Sequence, residues 1–249
     1  MHQTQLQTQH VYLTGLPGSG KHRLKQILVD QTGFNAQHIS VDSDCLTSIK
    51  PPDNLKIDVV WCVIDIRSTL SAVQDKAVEL HLQGLVKKSN AVVFTFSESA
   101  DLDSQSYWRA FVRAQSSEIP IVRVLNHRLP ANWSGFKGKH LTRPGQFKNG
   151  KSRGLFLETF EFEVGKLCLD HLLMGLDSSK QNLGMQIWRV QAVIETFEYD
   201  NNVALEGTPN RWDTFAAEVD QTPGWIKIQG VKLQQAWLKE IIQASLLTC

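Results

Sequence analysis

Seven residues set the strongest constraint on this chain. Gly15, Gly18, Gly20 and Lys21 fall at the spacing GxxxxGK inside "VYLTGLPGSGKHRLKQIL". Ser19 lies between the last two glycines, and His22 stands where such loops place a serine or threonine. The preceding "HVYLT" reads as a strand. The residues that follow carry apolar side chains at Leu24, Ile27 and Leu28, a helical spacing. Strand, glycine-rich loop and helix in that order form a cradle for phosphate. Glycines let backbone N–H groups point inward, the helix start adds the positive end of its dipole, and Lys21 reaches the outer phosphates. Gly15, Gly18, Ser19, Gly20, Lys21 and His22 are therefore the candidate nucleotide-binding residues.

The residue after the lysine normally supplies a hydroxyl to Mg2+. Imidazole is a poor ligand for that hard cation. Magnesium is expected to contribute weakly, and hydrolysis to be slow or absent. Asp65, at the end of the apolar run "DVVWCVID", can stand as a Walker B carboxylate, while Asp42, which ends "HISVD", and Asp44 can instead orient a substrate or a metal-bound water. A turn or helix cap is an equally ordinary role for each.

The unbroken apolar run from Val59 to Ile64 implies a strand buried on both faces, as in a parallel sheet. A helix over Ser71–Val86, the strand "NAVVFTF", a helix around Tyr107–Ala114 and the strand "IPIVRVL" continue the alternation. The fold class that follows is α/β, a P-loop NTPase-like mostly parallel sheet, with a smaller α+β C-terminal domain. The C-terminal domain is read from "GLFLETFEFEV", the helix "GKLCLDHLLMGL", a run of three or four consecutive strands and a final amphipathic helix, "LQQAWLKEIIQASLL". The expected organisation is a disordered lead-in over 1–10, a nucleotide-binding domain over 11–128, a basic linker over 129–153 and the C-terminal domain over 154–249.

Composition narrows the partners. With 42% hydrophobic residues, 20% charged residues and a net charge of +1, bulk charge favours neither nucleic acid nor a membrane surface. The stretch from Ile119 to Leu157 holds no acidic residue, but its glycines and prolines read as a solvated linker, and no aromatic stacking pattern accompanies its basic residues. No apolar run approaches a membrane span, and the polar start lacks the order of a secretory signal. The four cysteines, Cys45, Cys62, Cys168 and Cys249, are too scattered for a disulfide framework and offer no metal-site spacing. A cytoplasmic setting is expected.

The opening loop resembles that of the CobW-like GTPases, a P-loop family implicated in delivering metal ions to proteins. The order "FLETFEFEVGKLCLDHLLMGL", "QIWRVQAVIE", "NVALEGTPNRWD" and "GWIKIQGVKLQQAWLKEIIQASLL" is similar to the C-terminal domain of that family. The resemblance implies GTP or another purine nucleotide as cofactor, a client protein met through the C-terminal domain, and a link to metal homeostasis. It also marks what is missing. The family's CxCC motif is reduced to Cys45 within "QHISVDSDCLTSIKPPDNLKI". The Walker B segment before "DVVWCVID" is shortened away, and "SESADLD" replaces the guanine-reading NKxD, leaving Asp101 as a candidate base contact. The resemblance therefore implies a divergent member, a weak GTPase at most or a pseudo-GTPase. Two other readings remain open. "GLPGSGK" followed by "SVDSD" also resembles kinases of small molecules, and the chain can be a scaffold with a vestigial loop.

Overall fold

The computed structural model describes residues 10–42, 59–71, 75–131 and 157–246. The lead-in over 1–9, most of the basic linker, and Asp44 and Cys45 lie outside them. The chain divides into two compact units, one of residues 1–69 and 77–154, the other of 70–76 and 155–249.

In the first unit β1 (Val11–Thr14), β2 (Ile39–Val41), β3 (Val59–Asp65), β4 (Ala91–Thr95) and β5 (Ile121–Arg123) form one sheet in the order β2-β1-β3-β4-β5. Every pairing is parallel. The helices are α1 (Lys21–Thr32), α2 (Lys76–Lys88) and α3 (Leu102–Gln115). Leu24, Ile27 and Leu28 lie on one face of α1 and belong to a core with Val11 and Leu13 of β1 and Trp61 and Val63 of β3. That apolar stripe holds the helix on the sheet and fixes where its first turn stands.

Two helix starts differ from the sequence reading. The helix expected from Ser71 begins at Lys76, and ahead of it the Ser71 N–H donates to the Asp75 carboxylate at 2.7 Å. The helix expected around Tyr107 begins at Leu102, where Asp101 accepts from the Ser104 N–H at 2.6 Å and caps it.

The second unit is an antiparallel sheet in the order β6-β10-β7-β8-β9, with two helices. Its strands are β6 (Glu158–Glu163), β7 (Gln186–Ile194), β8 (Val203–Thr208), β9 (Arg211–Ala216) and β10 (Trp225–Val231). The helices α4 (Leu169–Asn182) and α5 (Gln235–Ser245) contribute Leu172, Leu176, Leu238 and Ile242 to a core shared with Val190 and Ile228. The fold is thus a parallel α/β sheet plus a separate antiparallel domain.

Residues 70–76 belong to this second unit, through Asp75, which accepts from the Asn210 side chain at 3.0 Å. Beside it Lys180 donates to Asp177 at 3.1 Å and to the Pro209 carbonyl at 3.1 Å, with its ammonium 4.1 Å from the Trp212 ring centre. Burial lowers the Lys180 pKa, against the opposing pull of the Asp177 and Asp75 carboxylates. Cys168, immediately before α4, is disulfide-bonded. This bears on the expectation that the cysteines are too scattered for a disulfide framework, which rested on spacing along the chain, whereas a disulfide depends on proximity in space. Cys62, within β3, is buried and not disulfide-bonded.

Candidate phosphate site at the end of the first strand

β1 delivers the chain into the loop at the carboxyl end of the sheet, where open α/β folds bind their ligands. Gly15 has φ 146°, and a Cβ there would lie 2.2 Å from the Val63 carbonyl oxygen, so no other residue fits against β3. Gly20, at φ 83°, forms the left-handed N-cap of α1. The Ser19 N–H donates to the Leu16 carbonyl at 3.2 Å, and the Thr95 hydroxyl reaches the Ser19 carbonyl at 2.7 Å, tying the loop to the end of β4. Lys21 is 7% exposed, and its ammonium donates to the carbonyls of Gly15 at 2.9 Å and Leu16 at 2.8 Å. His22 is exposed.

The electrostatics of the first turn run against ordinary helix design. A helix start favours negative charge and a side-chain cap. Here α1 has neither a side-chain cap nor an acidic residue in its first turn. Lys21, His22 and Arg23 stand there instead. A second polar group points the same way. Ser19 is 3% exposed and its hydroxyl has no hydrogen-bond partner among the described residues. A buried hydroxyl left so is uncommon and calls for an explanation. An anion in the loop answers both observations, by accepting from the helix start and from Ser19.

Two carboxylates flank β1. Asp42, 7% exposed at the end of β2, accepts from the Thr14 hydroxyl at 3.2 Å. Asp65, at the end of β3, is gripped by Arg67, whose Nε and Nη2 donate to the carboxylate at 3.0 and 2.7 Å.

The rim beyond the loop contains residues that sequence reasoning did not single out. Phe96 follows β4 at φ 55°, and a Cβ on Gly20 would lie 3.0 Å from its ring. The guanidinium carbons of Arg23 and Arg67 lie 4.3 and 3.6 Å from the ring centre. Arg23 also pairs with Glu98 at 2.6 Å. Burial alone would raise the Glu98 pKa. Hydrogen bonds from its own backbone, from Arg23 and from the Asn126 N–H outweigh that and lower it. The one local signal for this cluster was the run of three basic residues opening a helix.

Asp101, the candidate base contact, is instead occupied in capping α3. Among the described residues no group of three His, Cys, Asp or Glu side chains is arranged to hold a metal ion, and no helix is long and apolar enough to cross a membrane.

No family model matches the chain, and no curated protein matches it. Solved structures show a loose likeness. The Zn(II)-bound YjiA GTPase from E. coli is 11% identical, with 96% of this chain and 98% of that one covered at a TM-score of 0.35. A triple mutant of the Zn(II)-bound YjiA GTPase is 10% identical, with 88% and 74% covered at a TM-score of 0.34. A superposition that loose supports no assignment of family or activity.

Proposed function

We propose that the chain binds a nucleoside di- or triphosphate at Gly15–His22, with a purine nucleotide, GTP first, as the ligand and with slow or no hydrolysis. The observation that carries this reading is the uncapped, wholly basic first turn of α1 set against the buried, unpartnered Ser19 hydroxyl. Backbone N–H groups, the Ser19 hydroxyl and the Lys21 ammonium would hold the phosphates, with Lys21 exchanging its loop carbonyls for phosphate oxygens.

The donor set fits magnesium poorly. The residue after Lys21 offers an exposed imidazole in place of a hydroxyl, so the ion would have to rely on Asp42 and on the ligand's own oxygens. Slow hydrolysis belongs to this reading for the same reason. Asp65 is engaged by Arg67, which leaves Asp42 as the carboxylate joined directly to the strand that ends in the loop.

The C-terminal unit is the side proposed to meet a client protein. Tyr199 and Phe215, both 57% exposed, flank a cavity of about 360 Å³ beside β9, an edge strand. An exposed aromatic pair at a sheet edge suits protein contact.

Isothermal titration of GTP, GDP, ATP and ADP with and without Mg2+ tests the nucleotide reading. Binding that survives chelation and is lost in Lys21→Ala supports it. Absence of binding by any of the four overturns it.

A further inference from the structure

We propose that the Arg23–Phe96–Arg67 stack is the platform for the nucleoside part of the ligand, so that the protein selects purines by stacking and discriminates little between guanine and adenine. The inference rests on the phosphate-loop reading and extends it from the phosphates to the rest of the nucleotide.

Position is the first argument. All three residues lie at the carboxyl ends of parallel strands or at the start of the loop helix: Arg67 two residues past β3, Phe96 one past β4, and Arg23 third in α1. The ring rests against Gly20, the last residue of the loop. A ligand with its phosphates in the loop therefore has this stack as its immediate neighbour.

Conformation is the second. A bulky aromatic residue at φ 55° holds an unfavourable backbone geometry, and such strain collects at functional positions. In Phe96 it turns the ring onto the loop and brings two guanidiniums over it.

Chemistry is the third. Guanidinium planes and aromatic rings are the surfaces on which bases stack, and every base offers a face to them. The two arginines are fixed before any ligand arrives, Arg67 by the two-pronged grip of Asp65 and Arg23 by Glu98, itself held by the Asn126 N–H. Planes fixed in this way cost little entropy to use. Because each positive charge already faces a carboxylate, the stack adds a surface more than net charge. It reads the face of a base and not its edge, so the larger purine gains over a pyrimidine and the two purines stay close.

The test is titration calorimetry on the full chain with GTP, ATP, CTP and inorganic tripolyphosphate, which has the charge and lacks the nucleoside. GTP and ATP are expected to bind within about fivefold of each other, CTP more weakly, and tripolyphosphate about tenfold more weakly than GTP. Phe96→Ala and Arg67→Gln should each weaken GTP about tenfold while leaving tripolyphosphate unchanged. The arginine variant keeps the ring and guards against a folding defect in the other. Equal affinity of GTP and tripolyphosphate for the unaltered protein overturns the proposal, as does a loss of tripolyphosphate binding that matches the loss of GTP in either variant. So does a gap between GTP and ATP beyond about thirtyfold, which is edge reading. Tripolyphosphate that binds and is lost in Lys21→Ala leaves the loop reading standing whatever the stack does. If neither anion binds the unaltered protein, both readings fall.

Discussion

The Thr14 hydroxyl donates to the Asp42 carboxylate at 3.2 Å, joining the last residue of β1 to the residue that follows β2. The backbone repeats the link, since the Asp42 N–H donates to the Leu13 carbonyl at 2.9 Å. Asp42 is thereby held beside the strand that turns into the loop. Whatever magnesium dependence nucleotide binding shows should pass through this carboxylate. Asp42→Asn is expected to abolish the gain in affinity on adding Mg2+ and to leave binding in chelator unweakened, as titration in both buffers would show. A magnesium gain that persists in the variant would shift the role to another oxygen donor.

Lys21→Ala should weaken nucleotide binding by roughly ten- to a hundredfold, the worth of a charge-assisted hydrogen bond of about 1.5–3 kcal/mol. Its ammonium already rests on the Gly15 and Leu16 carbonyls, so it is in place before a ligand arrives. Unaltered affinity in a folded variant would remove the lysine from the site.

Gly15→Ala should destabilise the first unit by about 2 kcal/mol or more, since the methyl group would meet the Val63 carbonyl at 2.2 Å in a backbone region that disfavours side chains. Denaturant unfolding monitored through tryptophan fluorescence measures this. A midpoint equal to that of the unaltered protein would mean that β3 yields freely there.

His22→Thr should restore an oxygen donor after Lys21 and raise the magnesium dependence of binding, with phosphate release staying slow. Phosphate release at the ordinary pace of a GTPase by the unaltered protein, absent in Lys21→Ala, would show that another side chain has taken over the metal.

Asp101 connects stability to acid. Hydrogen bonds from the Ser104 backbone and side chain lower its pKa below the usual 3.8. A carboxyl depressed in the folded state contributes stability above its unfolded pKa and loses it as pH falls through the folded one. Asp101→Asn should therefore melt slightly below the unaltered protein near neutral pH, with the gap closing once the pH drops under 3.8 and on through the folded value. A gap that stays constant down to strong acid would mean that the amide caps α3 as well as the carboxylate does.

The sequence showed most plainly what short-range chemistry dictates. Gly15, Gly20 and Lys21 are set by a turn that only glycine can make and a helix that must follow. The run Val59–Ile64 announced a strand covered on both sides, and all six residues are buried. The start of α3 was harder to read because Asp103, Ser104 and Gln105 look like loop, and what organises them is the Asp101 carboxylate, which accepts from the Ser104 N–H. The stack was invisible for a different reason. Arg23, Arg67 and Phe96 come from three separate crossings of the sheet, and no spacing along the chain foretells that their planes meet. Cys168 makes the same point, since its disulfide depends on distance in space.

The carboxylate of Asp75 has a consequence for anyone who cuts this chain. The C-terminal unit is assembled from two lengths of polypeptide, and the shorter, residues 70–76, is encoded between a strand and a helix of the other unit. Residue 155 looks like a seam, yet a fragment begun there arrives without the acceptor for Asn210 and without one of the two carboxylates facing Lys180. The unit's smallest complete copy includes a heptapeptide from the far side of the linker.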